Sequence, residues 1–504
     1  MGKNTVRRPR GTRDFGPAEM QVWRQVESLL RQTAGRFGYR EIATPTFEHL
    51  DLFTRKSGEE IIDQLYCFED KGGRTMALRP ELTAAVMRFF SEEMAFQPKP
   101  VKVFYFGNCF RYERPQKGRY REFWQFGAES IGASSPSATA EIIALANRSI
   151  LAAGLNKGVL RIGHLGILKG LLERLGANEK AVMVLIDKGN TEGLMDYFAD
   201  RGYPDVNLLI DILGLITDPN ALEKARVMLL GEPKENEFRM IDGLDDGSVD
   251  NDHDIESGPR PMWREMVREG FESLERVTTL LDRSGIRYII DFGIARGLDY
   301  YTGIVFEVDV PSLGAEKQIC GGGEYDLNEA FGLNIKGTSG FAIGFDRLRM
   351  ALEAEGVTFP EEVPLVGIIP LLGGPKGGEQ GGPQNGQPRG QMTNQPYVQH
   401  IGQPQVPGTL DTNIPTIADL SFSLAMDLRR AGIDTELEVS GRGLKKALSR
   451  MNDIGVRYTI IIGEEELETG NVMLRDMSTG DQMEIGADGV LAHIREAIKA
   501  ENGT

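Results

Sequence analysis

The sequence predicts an α+β protein built from several domains, and three observations lead to that class. The chain has 504 residues, which is too long for one hydrophobic core and is typical of about three domains. Aromatic-rich, alternating segments surround a turn-prone sequence at residues 99–130 and predict two antiparallel strands. From about residue 363 onward, strand-like and helix-like segments alternate, which is typical of a small parallel α/β domain.

The amino-terminal part of the chain begins with a predicted helix. Trp23, Val26 and Leu30 recur at helical spacing within residues 17–37, and Pro17 lies near the first turn, where proline is favoured. The hairpin described above comes next, and helix-like segments follow it. The order of elements is therefore helix, hairpin and helical region.

The second half of the chain contains a polar segment, another β-rich run and the small α/β domain. Residues 232–256 hold ten acidic and two basic side chains, so we expect an exposed linker. Strand-like segments lie between residues 286 and 350 and end in a helix-like stretch. Residues 373–408 are rich in Gly, Pro and Gln, and we expect a flexible insertion between the first strand and the first helix of the last domain.

Composition and charge exclude several classes of protein. The chain has 57 basic and 74 acidic side chains, a net charge of −17, so a polyanionic partner needs a local basic patch. The longest apolar stretch, residues 363–372, is about half of a membrane span, and we expect no membrane segment or export signal. Cys67, Cys109 and Cys320 are widely separated, so neither a disulfide framework nor a structural zinc site is expected, and a reducing cytoplasm is the predicted compartment.

The second strand of the predicted hairpin carries an unusual polar face. The two-residue period places Phe123, Gln125, Gly127 and Glu129 on one side. Such a face can simply be the solvent-exposed side of an antiparallel sheet. The partner strand and the loop, however, carry a cluster of cations, and guanidinium groups bind phosphates bidentately. These cations are Arg111, Arg114, Lys117, Arg119 and Arg121. By itself the pattern predicts an anion-binding hairpin.

Several segments resemble the motifs of class II aminoacyl-tRNA synthetases, in the form found in the histidyl-tRNA synthetase family. RGLDYYTG at 296–303 is the most specific of them, because it resembles the histidine-binding signature of that family. The resemblance runs in order from RGTRDF at 10–15 to the last domain and covers nearly the whole chain. The other matching segments are GYREIATPTFEHLDLF at 38–53, LRPELTAAVMR at 78–88, FRYERPQKGRYREFWQFGAE at 110–129, GGGEYD at 321–326 and GFAIGFDRLRMALE at 340–353.

The resemblance implies a fold and a division into domains. It implies the six-stranded antiparallel catalytic sheet of class II synthetases with its helices, a helical insertion and a carboxy-terminal α/β anticodon-binding domain. We therefore expect the catalytic core in residues 1–165 and 281–357, the insertion with its acidic linker in 166–280, and the anticodon-binding domain in 358–504.

The resemblance also implies a reaction, in which ATP activates L-histidine to a histidyl-adenylate and the histidyl group is then transferred to tRNA(His). Charge must then be stabilised on the α-phosphate and on the departing pyrophosphate. By position in the motifs, Arg111 and Arg296 are the catalytic candidates at the α-phosphate, and Arg347 is the candidate at the γ-phosphate. Phe123 is expected to stack on adenine. The alternatives are a solvated surface charge for Arg347 and a core aromatic for Phe123.

Histidine recognition needs an acceptor and a donor that face each other across a neutral imidazole. The resemblance implies that Glu129 accepts from one ring nitrogen and that Tyr301 meets the other. For Glu81 a structural alternative is a carboxylate that caps a helix after Pro80. The remaining residues implied in the histidine site are Glu81, Leu82, Thr83, Gln125 and Tyr300.

Two features beside this site stay open in the sequence. Gly321–Gly323 can form a tight turn, or they can let the backbone approach the substrate, as the resemblance implies. Many relatives have Arg after the third glycine, where this chain has Glu324. A phosphate contact at this position is therefore not expected.

The resemblance implies further partners. Mg²⁺ should accompany ATP, held by phosphates and water, and its protein ligands are unknown. A homodimer is implied by the first motif. Basic residues of the motif 2 loop and of a helix in the last domain are the candidates for tRNA binding, although the helix can also present an ordinary solvated face. These residues are Lys117, Arg119, Arg121, Arg442, Lys445 and Lys446.

Two other functions are compatible with parts of this pattern. One is a non-catalytic, synthetase-like regulatory subunit of ATP phosphoribosyltransferase in histidine biosynthesis. Such paralogues generally lack the anticodon-binding domain and phosphate-binding arginines, and this chain has candidates for both. The other is a class II synthetase for another amino acid, which RGLDYYTG argues against.

Overall fold

The computed structural model describes most of the chain, which divides into two compact units, residues 1–360 and 361–504. The predicted acidic linker at 232–256 and the predicted insertion at 373–408 lie outside the described residues. The division into four parts at residues 165, 280 and 357 stays a prediction. The described ranges are 6–57, 59–114, 118–177, 179–201, 206–231, 262–295, 300–372 and 416–502.

The first unit combines helices with short and long strands. Its described α-helices are α1 (Pro17–Arg36), α2 (Leu50–Ser57), α3 (Thr83–Phe89), α4 (Pro136–Ala152), α5 (Leu165–Arg174), α6 (Glu179–Asp187), α7 (Thr191–Arg201), α8 (Val206–Gly214), α9 (Ala221–Leu230), α10 (Met262–Arg283), α11 (Asn328–Phe331) and α12 (Phe345–Ala354). Its described strands are β1 (Arg40–Glu41), β2 (Phe47–His49), β3 (Cys67–Glu69), β4 (Thr75–Leu78), β5 (Val101–Phe110), β6 (Glu122–Ile131), β7 (Val159–His164), β8 (Ile289–Ile290), β9 (Tyr301–Asp309), β10 (Gln318–Tyr325) and β11 (Thr338–Gly344).

A large sheet in the order β1-β5-β6-β11-β10-β9-β7-β8 forms the centre of this unit. The six strands from β5 to β7 in this order pair antiparallel throughout. The two-residue strands β1 and β8 add parallel pairs at the edges. The predicted six-stranded antiparallel sheet is therefore confirmed, with two short edge strands that the sequence did not reveal. Strands β2, β4 and β3 form a separate antiparallel sheet.

The predicted hairpin is the pair β5 and β6, whose register runs from Val101 opposite Ile131 to Phe110 opposite Glu122. Alternate side chains of these strands enter two different cores. Phe104 and Phe126 pack in the core that contains residues of α1 and α4, with ring centroids 5.9 Å apart. Tyr105 enters the second core, beside residues of α3. The two-residue period of the sequence thus directs alternate side chains into the core beside α1 and α4 and into the core beside α3.

The second unit has its own sheet and helices. Its described strands are β12 (Val366–Pro370), β13 (Thr435–Leu437), β14 (Tyr458–Ile462), β15 (Asn471–Asp476) and β16 (Gln482–Gly486), and its described helices are α13 (Ile417–Arg430), α14 (Leu444–Asp453), α15 (Glu464–Thr469) and α16 (Val490–Asn502). The sheet order is β13-β12-β14-β15-β16. The first three strands in this order are parallel, as predicted, and the last two pair antiparallel.

Among the described residues, no helix is both long enough and apolar enough to cross a membrane. The first predicted helix is confirmed as α1, with Trp23, Val26 and Leu30 buried. Strand β7 was not predicted, because its six residues lie between two helices in a region with strong helical patterning.

Candidate functional site

A cavity of about 320 Å³ lies in the first unit and brings together most of the predicted site residues. Its wall is formed by β6, β10, β11 and the start of α12, and by side chains that precede or begin α3 and β9. The predicted residues that line it are Glu81, Thr83, Arg111, Arg119, Phe123, Gln125, Glu129, Tyr300, Tyr301 and Arg347. Residues far apart in the sequence therefore share one cavity, as the motifs predict.

Two other predicted residues of the first unit, Leu82 and Arg121, do not line the cavity. Leu82 is 2% exposed and packs in the core beside α3 rather than lining the cavity. The guanidinium of Arg121 lies over the Tyr112 ring, 4.3 Å from its centroid. Arg296 and Lys117 lie outside the described residues.

Glu129 is the most buried carboxylate of the cavity, with 1% of its surface exposed. Thr83 Oγ1 and the Tyr105 hydroxyl donate to Oε1 at 3.0 and 3.1 Å. The Tyr325 hydroxyl donates to Oε2 at 2.8 Å. Hydroxyl groups from α3, β5 and β10 therefore hold both oxygens in place.

Burial raises the pKa of Glu129 to about 7, and the three hydroxyl donors counteract this shift in part. In the described part of the chain, no basic side chain forms an ion pair with this carboxylate. A hydrogen-bond donor on a ligand would therefore favour the ionised form. The environment suits a buried acceptor for a polar N–H group.

Two glycines make room for this arrangement. A Cβ atom at Gly340 on β11 would lie 1.7 Å from Oε2 of Glu129. A Cβ atom at Gly127 on β6 would lie 2.4 Å from the Tyr105 hydroxyl oxygen. The gap that the sequence shows at Gly127 is therefore occupied by the tyrosine that binds Glu129.

Glu81 caps the first turn of α3. Its carboxylate accepts from the backbone N–H groups of Thr83 and Ala84 at 2.6 and 3.0 Å. The structural alternative for Glu81 is thus confirmed. The side chain also lines the cavity, so the cap and a ligand contact are compatible.

Three tyrosines enclose one side of the cavity. The rings of Tyr300 and Tyr301 have centroids 4.8 Å apart, and Tyr325 meets them edge-on at 5.6 and 6.4 Å. Tyr301 is 7% exposed. Aromatic rings with polar hydroxyl groups suit contact with a flat, polar ring such as imidazole.

Gln125 lines the cavity from β6, and its side-chain amide is bound by a residue of the neighbouring strand β5. The Cys109 thiol donates to Oε1 of Gln125 at 3.3 Å. Burial raises the pKa of this thiol to about 12, so it keeps its proton at neutral pH. The carboxamide oxygen is thus engaged, and the amide N–H groups remain as donors for a ligand.

Arg111 and Phe123 lie together at the other end of the cavity. The guanidinium carbon of Arg111 is 5.2 Å from the Phe123 ring centroid, and Nε donates to the Pro80 carbonyl at 3.0 Å. A carboxylate oxygen of Glu113 lies 3.9 Å from Nη1 of Arg111. This end combines a cation with a half-buried aromatic ring, which suits a nucleotide.

Arg347 lies in the first turn of α12, and its guanidinium reaches back over the sheet. Nη1 donates to the Gln318 carbonyl at 2.8 Å, and Nε approaches the Gly118 carbonyl at 3.5 Å. Two backbone carbonyls therefore orient its positive charge at the edge of the cavity. The alternative of a solvated surface charge does not fit this geometry.

Gly321–Gly323 are interior residues of β10, so the turn interpretation is wrong. A Cβ atom at Gly322 would lie 2.3 Å from the Gly340 carbonyl oxygen, and one at Gly323 would lie 2.4 Å from that of Ile304. These glycines thus permit close packing of neighbouring strands. Glu324 points away from the main cavity and accepts from the Ile304 N–H at 3.0 Å.

Sequence reasoning missed Tyr105, Cys109 and the hydrogen bond from Tyr325 to Glu129. Tyr105 and Cys109 alternate on the same face of β5, and the register places them opposite Gly127 and Phe123. The two-residue period of β5 places Tyr105 and Cys109 on one face, but only the pairing register shows which residues of β6 lie opposite them. The segment GGGEYD contains Tyr325 but does not show what its hydroxyl binds.

In the second unit, the predicted basic residues lie at and before the start of α14. Lys445 and Lys446 are exposed. Arg442 forms an ion pair with the buried Glu438 at 2.9 Å. The two lysines are therefore the better candidates for contact with an external polyanion, and Arg442 also supports the loop before the helix.

Two family models match the chain. A family model described as "Histidyl-tRNA synthetase" matches residues 11–244 and 260–348. A second model, described as "Anticodon binding domain", matches residues 410–497. Together they cover both units.

Similar proteins are found in archaea. A histidine–tRNA ligase of Archaeoglobus fulgidus is 39% identical over 486 residues, which is 96% of this chain and 98% of the relative. Those of Methanosphaerula palustris and Methanosarcina acetivorans are 40% and 41% identical and cover 96% and 95% of this chain, and 97% and 96% of their own lengths.

Solved structures show the same fold. The apo histidyl-tRNA synthetase of S. aureus has 27% identity and a TM-score of 0.64, and the match covers 97% of this chain and 99% of the other. A protein from Bacillus halodurans, described as an ATP phosphoribosyltransferase regulatory subunit/histidyl-tRNA synthetase, shares the fold at 21% identity and a TM-score of 0.65, with coverage of 91% and 98%. By family models and relatives, the chain belongs to the histidyl-tRNA synthetase family.

Proposed function

We propose that this chain is a histidine–tRNA ligase, which activates L-histidine with ATP and transfers the histidyl group to tRNA(His). The observation that carries the proposal is the buried Glu129, held by three hydroxyls in a cavity that also contains Arg111 and Arg347. The same cavity then offers an acceptor for the imidazole of histidine and cations for the phosphates of ATP. The family and the near-full-length relatives support the same activity.

Glu129 would accept a hydrogen bond from one imidazole nitrogen, and the Tyr301 hydroxyl would meet the other. The amide N–H groups of Gln125 would bind the substrate carboxylate, and Glu81 would bind its ammonium group. A site of this kind rejects analogues that lack the polar ring by about 10⁴-fold, because its own buried groups are then left unpaired.

The histidine carboxylate would attack the α-phosphate in line, and pyrophosphate would leave. Arg111 would stabilise negative charge on the α-phosphate, and Phe123 would stack on adenine. Arg347 would bind the γ-phosphate from the start of α12, as a helix N-terminus favours anions. Arg296 would act on the α-phosphate from the opposite side, which rests on the motif match alone because it lies outside the described residues.

Mg²⁺ is proposed to enter with ATP, bound by phosphates and water. Among the described residues, no group of three or more His, Cys, Asp and Glu side chains is arranged to hold a metal ion. The transfer step would take place with the tRNA bound to exposed lysines such as Lys445 and Lys446, and with the protein as a cytoplasmic homodimer. These last points rest on the family.

Histidine-dependent exchange between ATP and pyrophosphate tests the proposal. We expect exchange with histidine and none above background with other amino acids. A folded preparation without histidine-dependent exchange would defeat the enzyme assignment and would favour the regulatory-subunit alternative. Exchange with a different amino acid would instead indicate another class II synthetase.

The role of the second unit can be tested separately. Lys445→Ala combined with Lys446→Ala should raise KM for tRNA by about tenfold and reduce its salt dependence, because two phosphate contacts are lost. The exchange reaction, which needs no tRNA, should stay at the wild-type rate. Arg430→Ala, at an exposed arginine on α13 that pairs with Asp427, is the matched control.

A further inference from the structure

The segment RGTRDF at residues 10–15 contacts the nucleotide end of the cavity, and the proposed function assigns no role to it. Arg13 forms an ion pair with Asp346, the second residue of α12. The side chain of Asp346 is 4% exposed and that of Arg13 is 20% exposed, so the pair is largely shielded from water. Asp346 lines the cavity and directly precedes Arg347.

Arg13 also lies against two aromatic rings. Its guanidinium carbon is 4.6 Å from the ring centroid of Phe15 and 4.4 Å from that of Tyr120. Phe15 in turn meets the buried Trp23 of α1 at 4.6 Å. Tyr120 lies two residues before β6, in the loop of the hairpin, and it lines the cavity. Arg13 therefore connects the hydrophobic core around Trp23 to the hairpin loop at the nucleotide end of the cavity.

Backbone hydrogen bonds extend the same connection towards Arg111. The Gly11 carbonyl accepts from the Arg121 N–H at 2.8 Å, and the Arg121 carbonyl accepts from the Arg111 N–H at 3.0 Å. Asp346 Oδ2 accepts from the Trp124 N–H at 2.7 Å, which joins α12 to β6. The segment 10–15 is thus bonded to both structures that present the proposed phosphate-binding arginines.

The charge of Asp346 requires a partner at this place. A buried carboxylate on the wall of a cavity that receives a triphosphate would repel it, and it would also draw positive charge away from the phosphates. Arg13, which does not itself line the cavity, neutralises that carboxylate through the ion pair. Burial raises the pKa of Asp346, and the Arg13 guanidinium counteracts the shift.

We propose that Arg13 and Asp346 form a positioning pair for nucleoside triphosphate binding. The pair fixes Tyr120 and the start of α12, so that Arg111 and Arg347 are held at the spacing that the triphosphate needs. Neither side chain has to touch the reacting atoms. The inference rests on the proposed function, which supplies ATP as the substrate.

The test compares Arg13→Gln and Arg13→Lys with the wild type, with Arg24→Gln as a matched control. Arg24 is a 67% exposed arginine on α1 that pairs with Glu27 at 2.7 Å. Binding of ATP and of histidine is measured separately by calorimetry, and KM for each is measured by exchange. Thermal unfolding reports whether each variant is folded.

Arg13→Gln should weaken ATP binding by about tenfold, because it removes the ion-pair partner of a buried carboxylate and leaves only the more distant charge of Arg349. Histidine binding should stay within about twofold, because the contacts that hold Glu129 come from Thr83, Tyr105 and Tyr325 and not from the pair. Arg13→Lys keeps the charge but loses the planar contacts with Phe15 and Tyr120, so its ATP affinity should be intermediate. The control should match the wild type in both measurements.

Unchanged ATP affinity in Arg13→Gln would overturn the proposal, and so would equal weakening of ATP and histidine in a folded variant. If Arg13→Gln does not fold, Arg13→Lys decides: wild-type ATP affinity in that variant would overturn the positioning role. A wild-type protein without histidine-dependent exchange would defeat the proposed function instead. Direct ATP binding would still decide the role of the pair in that case.

Discussion

The Tyr325 hydroxyl on β10 donates a 2.8 Å hydrogen bond to Oε2 of Glu129 on β6, across the intervening strand β11. Gly340 on β11 makes this contact possible, since a Cβ atom there would occupy the position of the carboxylate oxygen. The other oxygen is held by Thr83 and Tyr105. The carboxylate is therefore fixed in direction before any ligand enters, which reduces the cost of ordering it on binding.

Tyr325→Phe should weaken histidine use while leaving the fold intact. The phenyl ring keeps its place beside Tyr300 and Tyr301, but Glu129 loses a donor that stabilises its ionised form. We expect KM for histidine to rise by about tenfold, with KM for ATP nearly unchanged. Exchange kinetics with each substrate varied in turn will measure both values.

Tyr39→Phe is the control for this substitution, because Tyr39 is a buried tyrosine in the core on the other face of the sheet. It should leave both KM values at the wild-type level. An equal effect of the two substitutions would show that loss of any buried hydroxyl disturbs the site.

Histidine binding should release a proton from Glu129. Its pKa is raised to about 7, so the unliganded carboxyl is neutral below that pH and ionised above it. Donation from the imidazole N–H favours the ionised form and lowers the pKa, so histidine affinity should decline as the pH falls below 7. At pH 7, where a group with this pKa is half protonated, about half a proton should leave per bound histidine.

Calorimetry in two buffers of different ionisation enthalpy measures this release. The imidazole of free histidine also titrates in this range, so Glu129→Gln, studied at saturating histidine, supplies the reference. The difference between wild type and variant isolates the carboxyl. Identical release by both proteins would contradict a titrating Glu129.

Gly340→Ala should abolish histidine binding, because a Cβ atom there would lie 1.7 Å from Glu129 Oε2 and 2.9 Å from the Ala128 carbonyl. The carboxylate must move away, and its three donors cannot follow it together. We expect at least a roughly hundredfold loss of histidine affinity and a lower melting temperature.

Gly344→Ala on the same strand is the matched control, since a Cβ atom there would meet its nearest atom at an ordinary 3.7 Å. Histidine affinity, measured without ATP, should be unchanged in this variant. Normal histidine binding by Gly340→Ala would show that the strand can shift, and that the packing against Glu129 is not what fixes the site.

The contact between Cys109 and Gln125 can be separated from simple packing by two substitutions. Cys109→Ser keeps a donor for the Gln125 carboxamide oxygen, whereas Cys109→Val fills the space without one. We expect Cys109→Val to raise KM for histidine by about fivefold and Cys109→Ser to stay closer to the wild type. The reverse order would indicate that the thiol contributes only volume. KM for ATP serves as the internal reference in both variants.

Local sequence patterns predicted a large part of the site. Phe123, Gln125 and Glu129 line one cavity because alternate residues of a strand face the same side, and this was readable from the order of residues alone. Glu81 was correctly considered as a helix cap, because proline and a carboxylate before an apolar helix are a local signal. For Leu82 the local pattern was misleading. Its neighbours Glu81 and Thr83 line the cavity, but its own side chain packs in the core.

The sequence by itself determined the class of fold, the hairpin, the alternating faces of its strands and, through motif resemblance, the family. Only the tertiary structure decided that Thr83, Tyr105 and Tyr325 meet at one carboxylate, and that Arg13 pairs with Asp346, 333 positions away. The physical reason is that periodicity and capping arise from interactions within a few residues. Contacts across strands depend on register and on the packing of the whole sheet, which no short segment encodes.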